Sequence, residues 1–398
     1  MPDEAASRSR PRSIVVVGDL VEGWPPHDLS PNDLTARAAA DIAADAAATE
    51  NDAWSREDVA VVGGYLERLP LACVRAGLVD RAEIWHHARS DDVPAPRREA
   101  PWLTRRVFRL DEDRAPFPSA HMLAHVERFG APEILVVLGL GVDERLLKAC
   151  KGSVRIYNSI DAPSLRVPPE VSRHFDLVLT GAEWQSEEVR ALHPGMPCAV
   201  MPIGPEFADP ETFRPLGHPK RYDVVYVAAA QPYKRHDLLF DALANAPRRL
   251  SALCVCGYGE MGEALRREAG ERGLDVTFVG PPGVPFAEVN ALMNEARIGI
   301  VCGVDDGAPA ILTEYMLAGL PVLANERLAC GLQYIQPETG RAAPATRFGE
   351  VLVEMLDEPG ATDPRQAVLD RWAWPHTVGR LAAAIEPLRA VVASRNRT

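Results

Sequence analysis

From Tyr222 onward the chain alternates short β-branched apolar runs with helical stretches of about ten residues, and this alternation restricts the fold more than any other feature. YDVVYVAA (222–229), SALCVCG (251–257), DVTFVG (275–280), IGIVCG (298–303) and PVLAN (321–325) have the length and composition of buried strands. Segments 235–246, 261–272, 286–296 and 309–319 between them have the character of helices. Strands separated by helices of that length form right-handed β-α-β units and a parallel sheet covered on both faces. The first half repeats the scheme less cleanly. RSIVVVGD (12–19), EILVVLGLG (133–141), SVRIYNSID (153–161) and FDLVLTGAE (175–183) read as strands, 32–48 as an alanine-rich helix and 57–77 as an amphipathic segment. The Pro- and Arg-rich piece 91–118 is expected to be a surface excursion. Segment 201–220, rich in Pro and Gly and without periodicity, suits an interdomain linker. At 398 residues the chain is longer than one hydrophobic core usually serves, so two domains of roughly 200 residues each are expected.

Composition removes several classes. The 43 basic and 56 acidic side chains give a net charge of −13, which repels nucleic acid and anionic lipid on average. The longest apolar runs, 13–17 and 134–142, are far shorter than the roughly 18 residues of a membrane span. The opening MPDEAASRSRPRS has no apolar segment before Ile14 and reads as a polar tail, not a signal peptide, so a cytoplasmic protein is expected. Seven scattered cysteines, without a C-x-x-C pair, argue against a disulfide framework or structural zinc and read as buried thiols. Two doubly wound domains place a ligand where the C-terminal ends of their strands face a shared cleft.

The stretch with most chemistry in it is CGVDDGAPAILTEYMLAGLPVLAN (302–325). A strand ends at Gly303, an acidic turn with Asp305, Asp306 and Gly307 follows, and Pro309 opens a helix at a place where its missing N–H costs nothing. Gly307 permits close approach of the backbone to a ligand. The amides of Ala308, Ala310 and Ile311, with the positive end of the helix dipole, suit a phosphate. Glu314 lies about one turn further in, eight residues after Asp306. Taken singly, Asp306 is also a plain helix-capping carboxylate and Glu314 a solvated helix face.

This segment resembles the Glu-x7-Glu signature of retaining GT-B glycosyltransferases, family 4 above all, with Asp306 and Glu314 in the two acidic positions. Similar landmarks stand in order around it: QPYKRHDLLFDAL (231–243), CGYGE (256–260), FVGPPG (278–283), CGLQYI and ETG within 330–340, and RWAWPHTVGRL (371–381). The likeness covers about 154–385 well and the first 150 residues loosely. It implies an α/β protein of GT-B architecture, two Rossmann-like doubly wound domains facing a central cleft. An N-terminal acceptor domain would span 1–205, a nucleotide-sugar domain 206–375, and a last helix, 376–398, would return to the N-domain.

The implied activity is transfer of a sugar from a nucleotide-diphosphate-sugar donor to a hydroxyl or amine of a small-molecule acceptor, with the anomeric configuration kept and neither metal nor cofactor. Glu314 would bind the ribose hydroxyls, Asp306 the donor sugar and Lys234 the diphosphate, with Arg235, Ala308, Ala310, Gly307, Gly257, Gly280 and Gly18 also on the donor side. Asp161 joins Asp306 as a catalytic candidate. Lys234 is one of four lysines among 43 basic side chains. Nucleic acid and membrane are not expected partners, and the oligomeric state stays open.

Four departures from the family pattern stand out. The Arg usual five or six residues before the Lys is replaced by Ala229 and Ala228, for which Arg235 or His236 would have to substitute. The N-domain His is absent beside Asp161. The paired glycines after the first strand are reduced to Gly18-Asp19, and Asp306 reaches roughly 1 Å less than Glu. A nucleotide-sugar epimerase on the same fold and a non-catalytic GT-B binding subunit therefore remain alternatives. Elsewhere, His121 and His125 lack a third metal ligand, and Asp111-Glu112-Asp113 reads as a solvated turn. Arginines at 97, 98, 105, 106, 109 and 114 read as a solvated basic loop, in which Trp102 and Phe108 are sugar-stacking surfaces or loop anchors.

Overall fold

The structure is a computed structural model that describes residues 12–21, 65–90, 93–358, 360 and 362–395. The helix expected at 32–48 lies outside the described residues.

Eight strands build the first sheet: β1 (Ser13–Val21), β2 (Arg81–Ala88), β3 (Arg97–Ala100), β4 (Leu103–Arg109), β5 (Ile134–Leu138), β6 (Val154–Asn158), β7 (Leu177–Thr180) and β8 (Cys198–Val200). Their order is β3-β4-β2-β1-β5-β6-β7-β8, and every neighbouring pair is parallel except β3 with β4. The connections among the described residues carry helices α1 (Tyr65–Arg75), α2 (Ala120–Phe129), α3 (Glu144–Ala149), α4 (Pro169–Ser172) and α5 (Glu183–Leu192). Strand β5 is ILVVL and wholly buried, as a strand covered on both faces must be.

The second sheet contains β9 (Tyr222–Val227), β10 (Ser251–Val255), β11 (Asp275–Val279), β12 (Ala296–Val301), β13 (Val322–Asn325) and β14 (Gly340–Ala343), in the order β11-β10-β9-β12-β13-β14. All of its pairs are parallel. Its helices are α6 (His236–Ala244), α7 (Gly262–Glu271), α8 (Phe286–Asn294), α9 (Ile311–Leu317) and α10 (Phe348–Asp357), with α11 (Pro364–Arg371) following. In each sheet the strand order reverses beside the first strand, between β1 and β5 and between β9 and β12. Such a switch point leaves a crevice outside the strand C-termini, where ligands settle in open α/β sheets.

Each sheet is packed on both faces. Ile14, Val16, Ile134, Val136 and Ile156 lie in one cluster of the first domain, and Val15, Val17, Leu135, Val137 and Tyr157 in the other. Val224, Tyr226, Cys254 and Ile300 face one side of the second sheet, and Val225, Leu253, Val301 and Val322 the other. The core changes over between Phe207, which packs with the first domain, and Ala208, which packs with the second. After α11 the chain crosses back as α12 (His376–Arg395), whose Val378, Leu381, Ile385 and Val392 sit among Ile14, Ile134 and Ile156 of the first domain.

One expectation is overturned. Segment 91–118 is not an excursion, because its residues form β3 and β4 at the edge of the first sheet. Leu103, Val107 and Phe108 are buried there, and Trp102 packs into the core. The arginines are accommodated by pairing: Arg105 with Glu67 and Glu99, Arg106 with Glu83, Arg97 with Glu99. His121 makes an edge contact with Phe108, and His125 with both Trp85 and Phe108. Asp111 accepts from the Ala120 amide at 2.9 Å at the start of α2 and pairs with Arg145 at 3.0 Å. All seven cysteines are free thiols, and all but Cys198 are buried.

Candidate functional site

The switch point of the second sheet brings two sequence-distant turns together. Strand β9 leads into a 3-10 turn, Pro232–Lys234, closed by Arg235 in the left-handed region at φ 56°. Arg235 is the one non-glycine residue with positive φ among the described residues, a conformation that L residues adopt at a cost. The turn is fixed from below by the Tyr226 hydroxyl, which donates to the Lys234 carbonyl. Strand β12 ends against the same turn. A Cβ on Gly303 would stand 3.1 Å from the Tyr233 carbonyl oxygen, so glycine lets the two segments touch. The result is an ion pair between Lys234 Nζ and Asp306 Oδ2, with Nζ also 4.7 Å from the Tyr233 ring centre. Burial disfavours the Lys234 ammonium most, but Asp306 and Tyr233 outweigh it and its pKa is raised, so the side chain stays a cation.

Helix α9 begins at Ile311 and not at 309, with 305–310 folded as bends and turn. The Ala308 amide is taken by Asp306 Oδ1 at 3.3 Å, so it is not free for a phosphate as expected. The amides of Ala310 and Ile311 have no acceptor among the described residues. Tyr315 anchors the helix to the sheet. Its hydroxyl oxygen accepts from the Val227 amide at 2.7 Å, and its ring fills the place where a Cβ on Gly299 would be 2.4 Å from Tyr315 Cγ. This seating turns Glu314 toward the cleft.

A cavity of about 490 Å³ opens there. Among its lining residues are the expected Asp161, Lys234, Gly257, Asp306, Ala308, Ala310 and Glu314. Gly257 has nothing within 4 Å of a built Cβ, so its face is open to a ligand. Asp161, from the loop after β6, brings the first domain to the cavity. Its carboxylate pairs with Arg166 at 3.0 Å, and Gln185 Nε2 holds its carbonyl at 2.8 Å.

Four expected residues stand elsewhere. Gly307 gives its closeness to the other domain and not to a ligand. A Cβ there would lie 2.1 Å from the Asp161 carbonyl oxygen, and one on Gly181 would lie 2.0 Å from the Gly307 oxygen. Gly280 (φ 74°) packs under the site, where a Cβ would be 2.2 Å from the Cys256 carbonyl oxygen. Gly18 is buried inside β1, which continues to Val21 and does not turn at the Gly-Asp pair. Arg235 points away and grips Asp237 at 2.7 Å. His236 does not substitute for the missing arginine either. It is buried beside Tyr226, and burial lowers its pKa to about 4, so it is neutral. Ala228 and Ala229 both line the cavity.

Sequence reasoning missed Arg68 on α1, which forms a buried ion pair with Glu314 across the domain boundary. It also missed Tyr233, Tyr258, Val284 and Phe286 in the cavity wall. The glycines of FVGPPG mark the loop that carries Val284 and leads into Phe286 at the start of α8, but no local signal marks Arg68, 246 positions from its partner. The first domain's own switch point holds Asp19, whose Oδ2 accepts from the Leu140 amide at 3.4 Å. Burial raises the Asp19 pKa, with Asp161 adding to the effect. No cluster of three or more metal-ligating side chains occurs among the described residues, and no helix among them is long and apolar enough to cross a membrane.

Residues 209–344, which carry Lys234, Asp306 and Glu314, match the family model described as Glycosyl transferases group 1. Among solved structures, the chain is similar to a sucrose-phosphate synthase from Thermosynechococcus elongatus, with a TM-score of 0.64 and 16% identity, over 96% of this chain and 100% of that one. It is similar to the lipopolysaccharide outer core galactosyltransferase WaaB, with a TM-score of 0.61 and 14% identity, over 94% and 99% of the two chains. HepE of Anabaena, solved with UDP and glucose, gives 0.60 and 13% over 94% and 100%. The architecture is the GT-B fold of glycosyltransferases, with two parallel-sheet Rossmann-like domains. No curated protein sequence matches the chain.

Proposed function

We propose that this protein is a retaining, metal-independent glycosyltransferase of family 4 type that moves a sugar from a nucleoside-diphosphate-sugar to a hydroxyl or amine of a small-molecule acceptor in the cytoplasm. One observation carries the reading: Lys234, Asp306 and Glu314 face one cavity of about 490 Å³, which Asp161 of the other domain also lines. That volume suits a nucleotide-sized ligand. Glu314 receives the ribose hydroxyls, which want an acceptor-only carboxylate. Lys234 and the amides of Ala310 and Ile311 meet the diphosphate, where negative charge gathers as the leaving group departs. Asp306 orients the donor sugar and Asp161 borders the acceptor side. The bond from the anomeric carbon to the phosphate oxygen breaks as the acceptor oxygen or nitrogen bonds to that carbon. The acceptor's proton passes to the departing phosphate, so the protein needs no nucleophile of its own. A site shared between domains also excludes water, the competing acceptor.

The test is a thermal-shift screen of UDP, GDP, ADP and dTDP. A nucleotide at a hundredfold excess over its Kd stabilises by about 2.7 kcal/mol, and Lys234→Ala or Glu314→Ala abolishes the shift. A shift that survives both substitutions moves the nucleotide site elsewhere. A second reading, a nucleotide-binding subunit without turnover, draws on Ala228 and Ala229 in the cavity wall, at the positions where the resembled family usually carries an arginine. Tight nucleotide binding with neither sugar transfer nor donor hydrolysis selects it.

A further inference from the structure

Each of the two signature acids has a basic partner, but the partners differ in origin. Asp306 is neutralised from within its own domain by Lys234, whereas Glu314 is neutralised by Arg68 of helix α1 in the other domain. We infer that Arg68 is a positioning residue that holds Glu314 in the orientation a nucleotide's ribose requires, so that the nucleotide subsite is complete only when the two domains are together. The inference rests on the donor-site reading above.

The geometry around Arg68 is that of a clamp. Arg68 is buried at 3% exposure, and Glu314 at 6%. Nη2 donates to Glu314 Oε1, and Nη1 donates to the Gly204 carbonyl at 3.1 Å, tying the guanidinium to the interdomain linker. Its centre lies 5.5 Å from the Phe213 ring and 5.6 Å from the Phe286 ring, so two aromatic rings restrain the guanidinium. Oε2 of Glu314 takes no donor among the described residues, and Glu314 lines the cavity. One carboxylate oxygen is therefore held by the protein and the other left for a ligand. This is how a supporting shell fixes a binding group before the ligand arrives.

The experiment uses isothermal calorimetry with UDP, GDP and ADP and the 2′,3′-dideoxy form of each. Wild-type protein binds at least one ribonucleotide more tightly than its dideoxy form. In Arg68→Met the ribonucleotide loses about tenfold or more, the factor that a 1.4 kcal/mol change makes, while the dideoxy form changes little. Arg68→Lys recovers part of the loss. In the double variant Arg68→Met with Glu314→Gln, where neither buried charge remains, ribose discrimination is no lower than in Glu314→Gln alone. Equal weakening of both nucleotide forms by Arg68→Met, or discrimination that is unchanged, overturns the inference and leaves Arg68 a structural brace. Wild-type protein that binds no nucleotide, or does not discriminate the ribose, refutes the donor-site reading itself, and the role of Arg68 falls with it.

Discussion

Glu206 sits where the chain passes between domains, and its carboxylate decides a stability profile that can be worked out beforehand. It is 2% exposed. Oε2 accepts from Thr377 Oγ1 at 3.1 Å and Arg380 Nη1 at 3.0 Å, both on α12, and Oε1 accepts from the Tyr334 hydroxyl at 3.2 Å in the second domain. Desolvation by burial outweighs Arg380 and the two hydroxyl donors, and the pKa rises from 4.5 to about 7. A carboxyl that binds its proton more tightly when folded stabilises the protein fully below its unfolded pKa. That contribution is lost as pH rises through the folded value. Between pH 4.5 and 7 the loss is about 3 kcal/mol at 1.36 kcal/mol per pKa unit. Glu206→Gln cannot ionise, so its stability lacks this slope. For folding units of 150–250 residues each kcal/mol shifts Tm by about 2–4 °C. Relative to wild type, the variant should therefore gain about 6–12 °C between pH 4.5 and 8 by scanning calorimetry. A Tm difference that stays constant over that range refutes the reasoning, because it means Arg380 keeps Glu206 ionised throughout.

Other substitutions test the remaining contacts. Gly307→Ala puts a methyl 2.1 Å from the Asp161 carbonyl oxygen, a backbone atom that cannot rotate away. An overpacking cost of about 1–3 kcal/mol should appear as separation of the domains, read as a larger radius of gyration in X-ray scattering and weaker nucleotide binding. Leu381→Ala empties a fully buried position of α12 in the core of the first domain. It should cost about 2–5 kcal/mol, seen as a lower midpoint in urea denaturation followed by tryptophan fluorescence. Gly299→Ala drives a methyl into the Tyr315 ring and should lower Tm while also weakening the nucleotide thermal shift, since the seat of α9 sets the position of Glu314.

From β9 to β13 the second domain was legible because short apolar runs alternate with separate periodic stretches, so the observed bounds fall within a few residues of the expected ones, whereas α10 and α11 were not read. Strand β14 was not legible: Gly340–Ala343 contains no β-branched or aromatic residue, and parallel pairing with β13 alone makes it a strand. The misreading of 91–118 came from counting arginines. LTRRVFR does bury Leu103, Arg105 and Val107 in alternation, but Arg105 is tolerable inside only because Glu67 and Glu99 meet it. At the site, Asp306 and Glu314 were read from a strand-turn-helix pattern and Lys234 from the family resemblance, and the structure brings the three to one cavity. Gly307 and Arg68 depend on the other domain, and no local pattern encodes a partner that folding brings from afar.

The return of α12 makes the first domain discontinuous in sequence, with the entire second domain inserted before its final helix. During synthesis the sheet that begins at Ser13 has to wait for Val378 and Leu381, which emerge some 170 residues after the chain leaves that domain near Phe207. At ribosomal speeds of about 5–20 residues per second the delay is roughly ten to thirty seconds. A fragment ending near Phe207 would expose Ile14, Ile134 and Ile156 where the helix should lie, so the first domain is not a finished unit until the last helix arrives.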